Sequence, residues 1–374
     1  MESFVVSARK YRPATFDQVV GQTSIVSTLK NAIRNHQVAQ SFLFCGPRGT
    51  GKTTCARILA KTINCQSITK DIEACNECES CKSFDSGQSL NVYELDAASN
   101  NSVDDIRNLV NQVRIAPQIG TKKAYIIDEV HMLSQSAFNA FLKTLEEPPA
   151  HAVFILATTE KHKILPTILS RCQIFSFNRI TVNDIVQHLE KIAKQENIAY
   201  EADALHIIAQ KADGGLRDAL SIFDQLVTFS NKNLTYQAVI STLNVLDSDY
   251  YFKATNFLLD KNIPDSLMLL NEVLAKGFDE HNFILGLGEH FRNLLLCKNA
   301  ITTTILETSE KNKTLYLEQT AKCSDDFLLC GLQVINEADI QYKSSKNKRL
   351  LIELCLLKLC SENLSDLKKK SFAD

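Results

Sequence analysis

Two clusters of residue types in the first third of the chain have the chemistry and spacing of a site. The first is "GPRGTGKTT", which fits G-x-x-x-x-G-K-[ST] with Gly46, Gly51, Lys52 and Thr53. It follows the apolar run "SFLFC" and opens a helical pattern, the strand–loop–helix setting in which such a loop holds phosphate. Glycines let main-chain N–H groups turn inward where a side chain would clash, and the helix N-terminus adds partial positive charge. Lys52 reaches the β- and γ-phosphates, the Thr53 hydroxyl suits Mg²⁺, and Gly49, Thr50 and Thr54 complete the expected cradle. The second cluster is "ACNECESC", with Cys75, Cys78 and Cys81 at two-residue gaps and Cys65 ten positions before them. A metal knot, a redox pair and coincidence are the three readings it allows.

Further along, "YIIDE" is an apolar strand ending in Asp128 and Glu129, at the carboxyl edge where ligands of parallel sheets sit. Asp128 would hold Mg²⁺, and Glu129 would orient and polarise an attacking water; the plain alternative is a pair of surface acids. Phosphoryl transfer needs charge stabilisation more than covalent chemistry. Thr158 and Thr159 end "FILATT", and either could position water. Arg171 in "LSRC" and Arg217 in "GGLRDAL" are the available cations.

These residues need a scaffold. The 374 residues suggest two or three domains, and a hydrophobic share of 45% with 22% charged residues excludes a disordered chain. A net charge of -2 excludes a generally basic nucleic-acid coat but not a local basic face. "MESFVVSARKYRP" breaks its apolar run with Arg9 and Lys10, and no run reaches the ~18 apolar residues of a membrane span, so a cytoplasmic protein is expected. In a reducing compartment twelve cysteines do not form a disulfide framework. Cys45, Cys55, Cys172, Cys297, Cys323, Cys330, Cys355 and Cys360, scattered among apolar neighbours, read as small core residues.

Strands and helices alternate up to about Asn178: "NVYELDAA", "KAYIIDE", "AVFILATT" and "CQIFSF" against Val103–Val113 and "SQSAFNAFLKTLEE". That order predicts an α/β fold with a mostly parallel sheet. Ser102 and Asp105 form a capping-box pattern. Beyond residue 178 amphipathic helices follow, interrupted at Asp213, Gly214 and Gly215, and a third, all-helical region opens near residue 244. The tail "DLKKKSFAD" reads as charged and frayed.

At this point the segments "RKYRPATFDQVVGQ", "GPRGTGKTT", "ELDAAS", "YIIDEVHMLS", "FNAFLKTLEEPP", "ILATTEKHKILPTILSRC" and "GGLRDALSIFDQ" occur in order. Together they resemble the bacterial DNA polymerase III gamma/tau family, the clamp-loader ATPases of the AAA+ superfamily. The similarity is dense over residues 1–245. It implies an AAA+ nucleotide-binding domain over 1–178, a helical lid over 179–243 and a helical collar for oligomerisation over 244–374. It also implies roles: Thr159 as sensor 1, Arg217 as the lid's sensor 2, and Arg171 as the finger lent to a neighbouring subunit's nucleotide. The adenine would pack near Tyr11, Arg12 and Pro13, with Val19 and Val20 as apolar wall.

In this family a zinc module follows the phosphate-loop helix, and Cys65, Cys75, Cys78 and Cys81 stand in its four positions. Four thiolates enclose Zn²⁺ at ~2.3 Å, and a closed site of that kind is structural. The implied partners are delta and delta-prime type subunits, copies of the chain itself, the sliding clamp and primed DNA, within a DNA polymerase holoenzyme. Lys143 matches a basic DNA-facing position, whereas Asn100, Asn101 and Ser102 stand where a basic residue is usual. The expected function is ATP-driven opening of the clamp and its placement on primed DNA. Another AAA+ DNA motor, such as a branch-migration helicase or a helicase loader, is one rival; the four cysteines and "LSRC" weigh against it. A non-hydrolysing scaffold subunit is the other, and the intact phosphate loop with Asp128 and Glu129 weighs against that.

Overall fold

A computed structural model describes residues 6–117, 120–306, 308 and 310–361, and the charged tail lies outside them. The chain divides into two compact units, one of Met1–Ala199 with Ile208–Lys232, the other of Tyr200–Ile207 with Asn233–Asp374.

The first unit begins with α1 (Ser7–Lys10), a 3-10 turn at Phe16–Gln18, α2 (Thr23–Arg34) and β1 (Ser41–Cys45). Then come α3 (Lys52–Ile63), α4 (Glu79–Asp85), β2 (Val92–Asp96), α5 (Val103–Val113), β3 (Lys123–Asp128) and α6 (Gln135–Glu146). β4 (Ala152–Thr158), α7 (Pro166–Leu169) and β5 (Gln173–Ser176) close the sheet, and α8 (Val182–Gln195) and α10 (Leu216–Phe229) follow, with α9 (Ala202–Lys211) divided between the two units. The five strands pair in the order β2-β3-β4-β1-β5, all parallel. β1 and β4 are buried along their whole length, as expected of central parallel strands covered on both faces.

Alternate strand residues supply two cores. Leu43, Tyr125, Ile127, Phe154 and Leu156 pack on one face with Leu109 of α5 and Phe141 of α6. Phe42, Phe44, Ile126 and Ile155 pack on the other with Leu29 of α2 and Leu59 of α3. The capping box forms as expected, Ser102 accepting from the Asp105 N–H and Asp105 from the Ser102 N–H. The register sets Asp96 beside Asp128 and Cys45 beside Thr158, so the carboxyl ends of β1, β3 and β4 open on one edge.

Among its described residues the second unit is mostly helical, with Tyr200 and Asn233–Leu234 in short strands too brief to show a period in sequence. It holds α11 (Tyr236–Thr242), α12 (Ser248–Leu259), α13 (Ile263–Ala275), α14 (Glu280–Leu296), α15 (Ala300–Thr303), α16 (Glu310–Thr320), α17 (Asp325–Tyr342) and α18 (Lys348–Cys360). Phe283, Leu287, Phe291 and Leu294 of α14 pack with Leu328 and Ile335 of α17 and with Leu356 and Leu359 of α18. A Cβ on Gly331 would meet the Phe291 ring at 2.4 Å, so α17 can approach α14 this closely only without one. Of the scattered cysteines all are buried except Cys172, which is half-buried. Among the described residues no helix is long and apolar enough to cross a membrane.

Candidate active site and metal centre

The loop between β1 and α3 turns through Gly46, Gly49 and Gly51, at φ of 148°, 76° and 97°. A Cβ at Gly46 would lie 2.4 Å from the Phe177 carbonyl oxygen, so that position excludes any side chain. At Gly49 it would lie 3.0 Å from the Gly215 Cα. The loop and the turn before α10 therefore touch backbone to backbone, which sets Arg217 two residues into α10 beside the loop. Lys52 is buried, and its Nζ donates to the carbonyls of Gly46 at 2.9 Å and Pro47 at 2.7 Å. Burial lowers its pKa against the opposing pull of Glu129 and Asp128.

Thr53 Oγ1 donates to Asp128 Oδ2 at 2.7 Å, bringing two oxygen ligands of the kind Mg²⁺ takes to one point. Asp128 Oδ1 accepts from the Glu129 N–H at 3.0 Å. Glu129 itself is left-handed, with φ 46° and ψ 46°, a strained conformation for a residue with a Cβ. Its Oε2 accepts from the Thr159 hydroxyl at 3.0 Å and the Thr159 N–H at 3.2 Å. Thr158 instead turns its hydroxyl to His131 Nδ1 at 3.0 Å. Of the two threonines, Thr159 is the one that faces the acid.

Lys52, Thr53, Asp128 and Glu129 border a cleft of about 590 Å³. Tyr11, Arg12, Pro13, Val19 and Val20 line it, the residues that the family resemblance implies for the base. Gly49, Thr50, Gly51, Lys52, Thr53 and Thr54 line it from the phosphate loop and α3, and Leu216, Arg217 and Leu220 from α10. Arg12 Nε donates to Thr54 Oγ1 at 3.3 Å. Desolvation, and after it the repulsion of Arg57, lowers the Arg12 pKa, with Arg217 adding to it and Glu94 and Asp128 opposing. The N-terminal segment is tied down within this unit. The Ser7 N–H donates to Asp224 Oδ2 of α10 at 2.6 Å, and the Tyr11 hydroxyl and Lys10 Nζ both meet Glu196 after α8.

Two predicted residues stand away from the cleft. Arg171 is exposed, its guanidinium bonded to Glu146 at 2.7 Å and to the Thr167 carbonyl at 2.6 Å. Lys143 is exposed on α6. The sequence reading passed over Arg48 and Glu94, which line the cleft, and Arg57, which pairs with Glu94. They come from separate elements and share no spacing; only Arg48, inside the phosphate loop, carried a signal.

The Sγ atoms of Cys65, Cys75, Cys78 and Cys81 all lie within 4.8 Å of one another. Zn–S bonds of ~2.3 Å give S···S edges of about 3.8 Å, and Cys75 and Cys81 stand 4.0 Å apart, so four thiolates and a tetrahedral ion fit. The Cys65 sulfur accepts the Cys75 N–H and the Cys75 sulfur the Cys78 N–H, both at 3.3 Å, as thiolates in a metal knuckle do. Hydrogen bonds from the main chain push the Cys75 thiol down to about 6. The left-handed Asn76, φ 60°, makes the turn between Cys75 and Cys78.

A parallel sheet with a glycine-rich phosphate loop, paired acids on the adjoining edge and an arginine on a following helix defines the P-loop proteins of the AAA+ class. Residues 21–181 match the family described as DNA polymerase III, delta subunit, and residues 184–232 that described as DNA polymerase III clamp loader subunit, ATPase lid domain. The chain is 44% identical to DNA polymerase III subunit tau of Bacillus subtilis, over 96% of this chain and 63% of that protein. It is 34% identical to subunit gamma of Buchnera aphidicola subsp. Baizongia pistaciae, over 96% of this chain and 98% of that one. It is 43% identical to subunit tau of Escherichia coli, over 74% of this chain and 43% of that protein. Among solved structures, Thermotoga maritima RuvB covers 72% of this chain and 86% of its own at 19% identity, with a TM-score of 0.47. The chain belongs to the gamma/tau family of DNA polymerase III clamp-loader subunits. It spans less than two thirds of the tau proteins of B. subtilis and E. coli.

Proposed function

We propose that this chain is the ATP-hydrolysing subunit of a sliding-clamp loader, which opens the clamp and places it on primed DNA. One observation carries the reading: Lys52, Thr53, Asp128 and Glu129 converge on a single cleft that α10 enters with Arg217. The main-chain N–H groups of the Gly46–Thr53 loop and Lys52 bind the β- and γ-phosphates. Thr53 and Asp128 hold Mg²⁺, which neutralises charge developing on the transferred phosphoryl oxygens. Glu129, steadied by Thr159, orients the attacking water. Arg217 draws residues 179–243 over the triphosphate as a lid.

Arg171, outside its own cleft, is lent to the nucleotide of an adjacent subunit, so hydrolysis follows assembly. Residues 244–374 form the collar that holds the assembly, with delta and delta-prime type subunits and further copies of this chain as neighbours. The cysteine cluster holds a structural Zn²⁺. Lys143 contacts DNA phosphate. The setting is cytoplasmic, within a DNA polymerase holoenzyme.

Steady-state ATPase with and without companion subunits, clamp and primed DNA tests this. Hydrolysis that is weak alone, rises on their addition and vanishes with Lys52→Ala is the expected result. Strong hydrolysis by the isolated chain, indifferent to every partner, would overturn it.

A further inference from the structure

The segment that the cysteine cluster closes reaches the turn leading into two residues of the cleft lining. The 3-10 turn Phe16–Gln18 has no side-chain cap of its own from Thr15. Its first N–H groups would lack partners, and Phe16 is 1% exposed, so water cannot serve the Phe16 N–H. Glu73 supplies the missing acceptors: Oε2 takes the Phe16 N–H at 2.9 Å and Oε1 the Asp17 N–H at 3.1 Å. Glu73 is itself buried, and Lys30 of α2 neutralises it at 2.7 Å while also holding Asp17 at 2.6 Å.

Glu73 lies between Cys65 and Cys75, two residues before the latter. Its own segment is a tight loop: the Thr69 hydroxyl accepts the Glu73 N–H at 3.1 Å, and the Thr69 N–H donates to the Glu73 carbonyl at 2.9 Å. Ile72, left-handed at φ 60°, packs against the core cluster that contains Phe16. The turn that Glu73 caps runs directly into Val19 and Val20, the Val19 N–H closing on the Phe16 carbonyl at 3.1 Å. Those two valines line the cleft.

We propose that Glu73 is a positioning residue through which the four-cysteine module sets the base-side wall of the nucleotide cleft. The inference rests on the reading of that cleft as an ATP site. The phosphate loop, Gly46–Thr53, makes no bond to Glu73, so the module acts on affinity for the base and not on affinity for the phosphates. A module that merely anchors itself to the domain would alter both alike or neither.

The test uses the whole chain and two ligands, ATP and inorganic tripolyphosphate, titrated by calorimetry with Mg²⁺. Losing two charge-assisted bonds at the turn, Glu73→Ala is expected to weaken ATP about tenfold and tripolyphosphate by less than about twofold. Glu73→Gln turns an amide N–H against the Asp17 N–H and is expected to move the same ratio by about threefold; it decides the matter if the alanine variant does not fold. Wild-type protein treated with a zinc chelator should show the same selective loss, with faster amide exchange at Phe16 and Asp17. Equal weakening of both ligands, an unchanged ratio in the glutamine variant, or a wild-type ratio after chelation overturns the proposal. A wild-type chain that binds neither ligand overturns instead the ATP-site reading beneath it.

Discussion

The carboxylate of Glu129 shows how one residue is held in place for the task proposed for it. A left-handed backbone costs a residue of this kind roughly 1–3 kcal/mol and persists only where surroundings enforce it. Here the enforcement is the Asp128 carboxylate on its N–H and two Thr159 donors on its Oε2. Glu129→Gln keeps the shape and loses the charge. ATP affinity should hold while assembly-dependent hydrolysis falls ~10²–10⁴-fold, the worth of a general base. Thr159→Val removes only the hydroxyl donor and should cost about tenfold, since the Thr159 N–H remains. Single-turnover hydrolysis beside a binding titration separates these, and a parallel loss of affinity would contradict both. Lys52, Thr53 and Asp128 were legible in the sequence because strand, loop and helix carry them locally. The residue types alone left Thr158 and Thr159 open, and the family resemblance chose Thr159; only the packing of β4 beside β3 shows its hydroxyl and N–H meeting Glu129. Glu94 and Arg57 gave no sequence signal, since they meet only after β2 and α3 have packed.

At the scale of elements, α14 carries a buried polar group that its helical pattern half announced. His290 falls on the stripe of Leu287, Phe291 and Leu294, yet between Glu289 and Phe291 it reads as a surface residue. It is 1% exposed, with Nδ1 3.1 Å from the Tyr316 hydroxyl and Nε2 2.8 Å from Gln319 Oε1, both on α16. Burial pushes it down to about 4, from an unfolded value near ~6.5. The folded unit therefore keeps it neutral where the unfolded chain takes a proton. Its contribution is intact above about pH 6.5 and is lost as pH falls toward 4, by on the order of 3 kcal/mol. Urea unfolding of wild type and His290→Gln at pH 7.5 and 4.5 checks this: the stability loss on acidification should be smaller in the variant. Equal losses would show that His290 titrates normally. The sequence marked the region beyond residue 244 as helical without delimiting α12, α13, α14 or α17. Their crossings stayed hidden, because Gly331 is informative only once Phe291 is known to lie against it.

For the whole molecule the telling residue is the arginine that its own cleft does not use. Lys52, Arg12 and Arg217 already bring positive charge to the cleft from three separate parts of the first unit. Arg171 stands after α7, and Glu146 and the Thr167 carbonyl hold its guanidinium at the surface. An exposed pair of that kind contributes about 0–1 kcal/mol, so stability gives little reason for an arginine there. Presentation to a second subunit gives one. In the sequence Arg171 was one of two available cations, and its loan to a neighbouring nucleotide was implied by the family resemblance alone, because no contact within one chain can display a partner's site. Arg171→Ala should therefore leave the melting temperature and the nucleotide affinity of the isolated chain nearly unchanged. In the complete assembly with clamp and primed DNA, its hydrolysis should fall ~10³–10⁵-fold, the range of an arginine supplied in trans. Adding the Arg171→Ala, Lys52→Ala double variant to wild-type chains sharpens the result. A subunit that neither hydrolyses nor lends its guanidinium should silence the neighbour whose cleft it faces, so activity should fall faster than the wild-type fraction. A fall strictly proportional to that fraction would mean that each chain completes its own site, and the shared-site mechanism would be wrong.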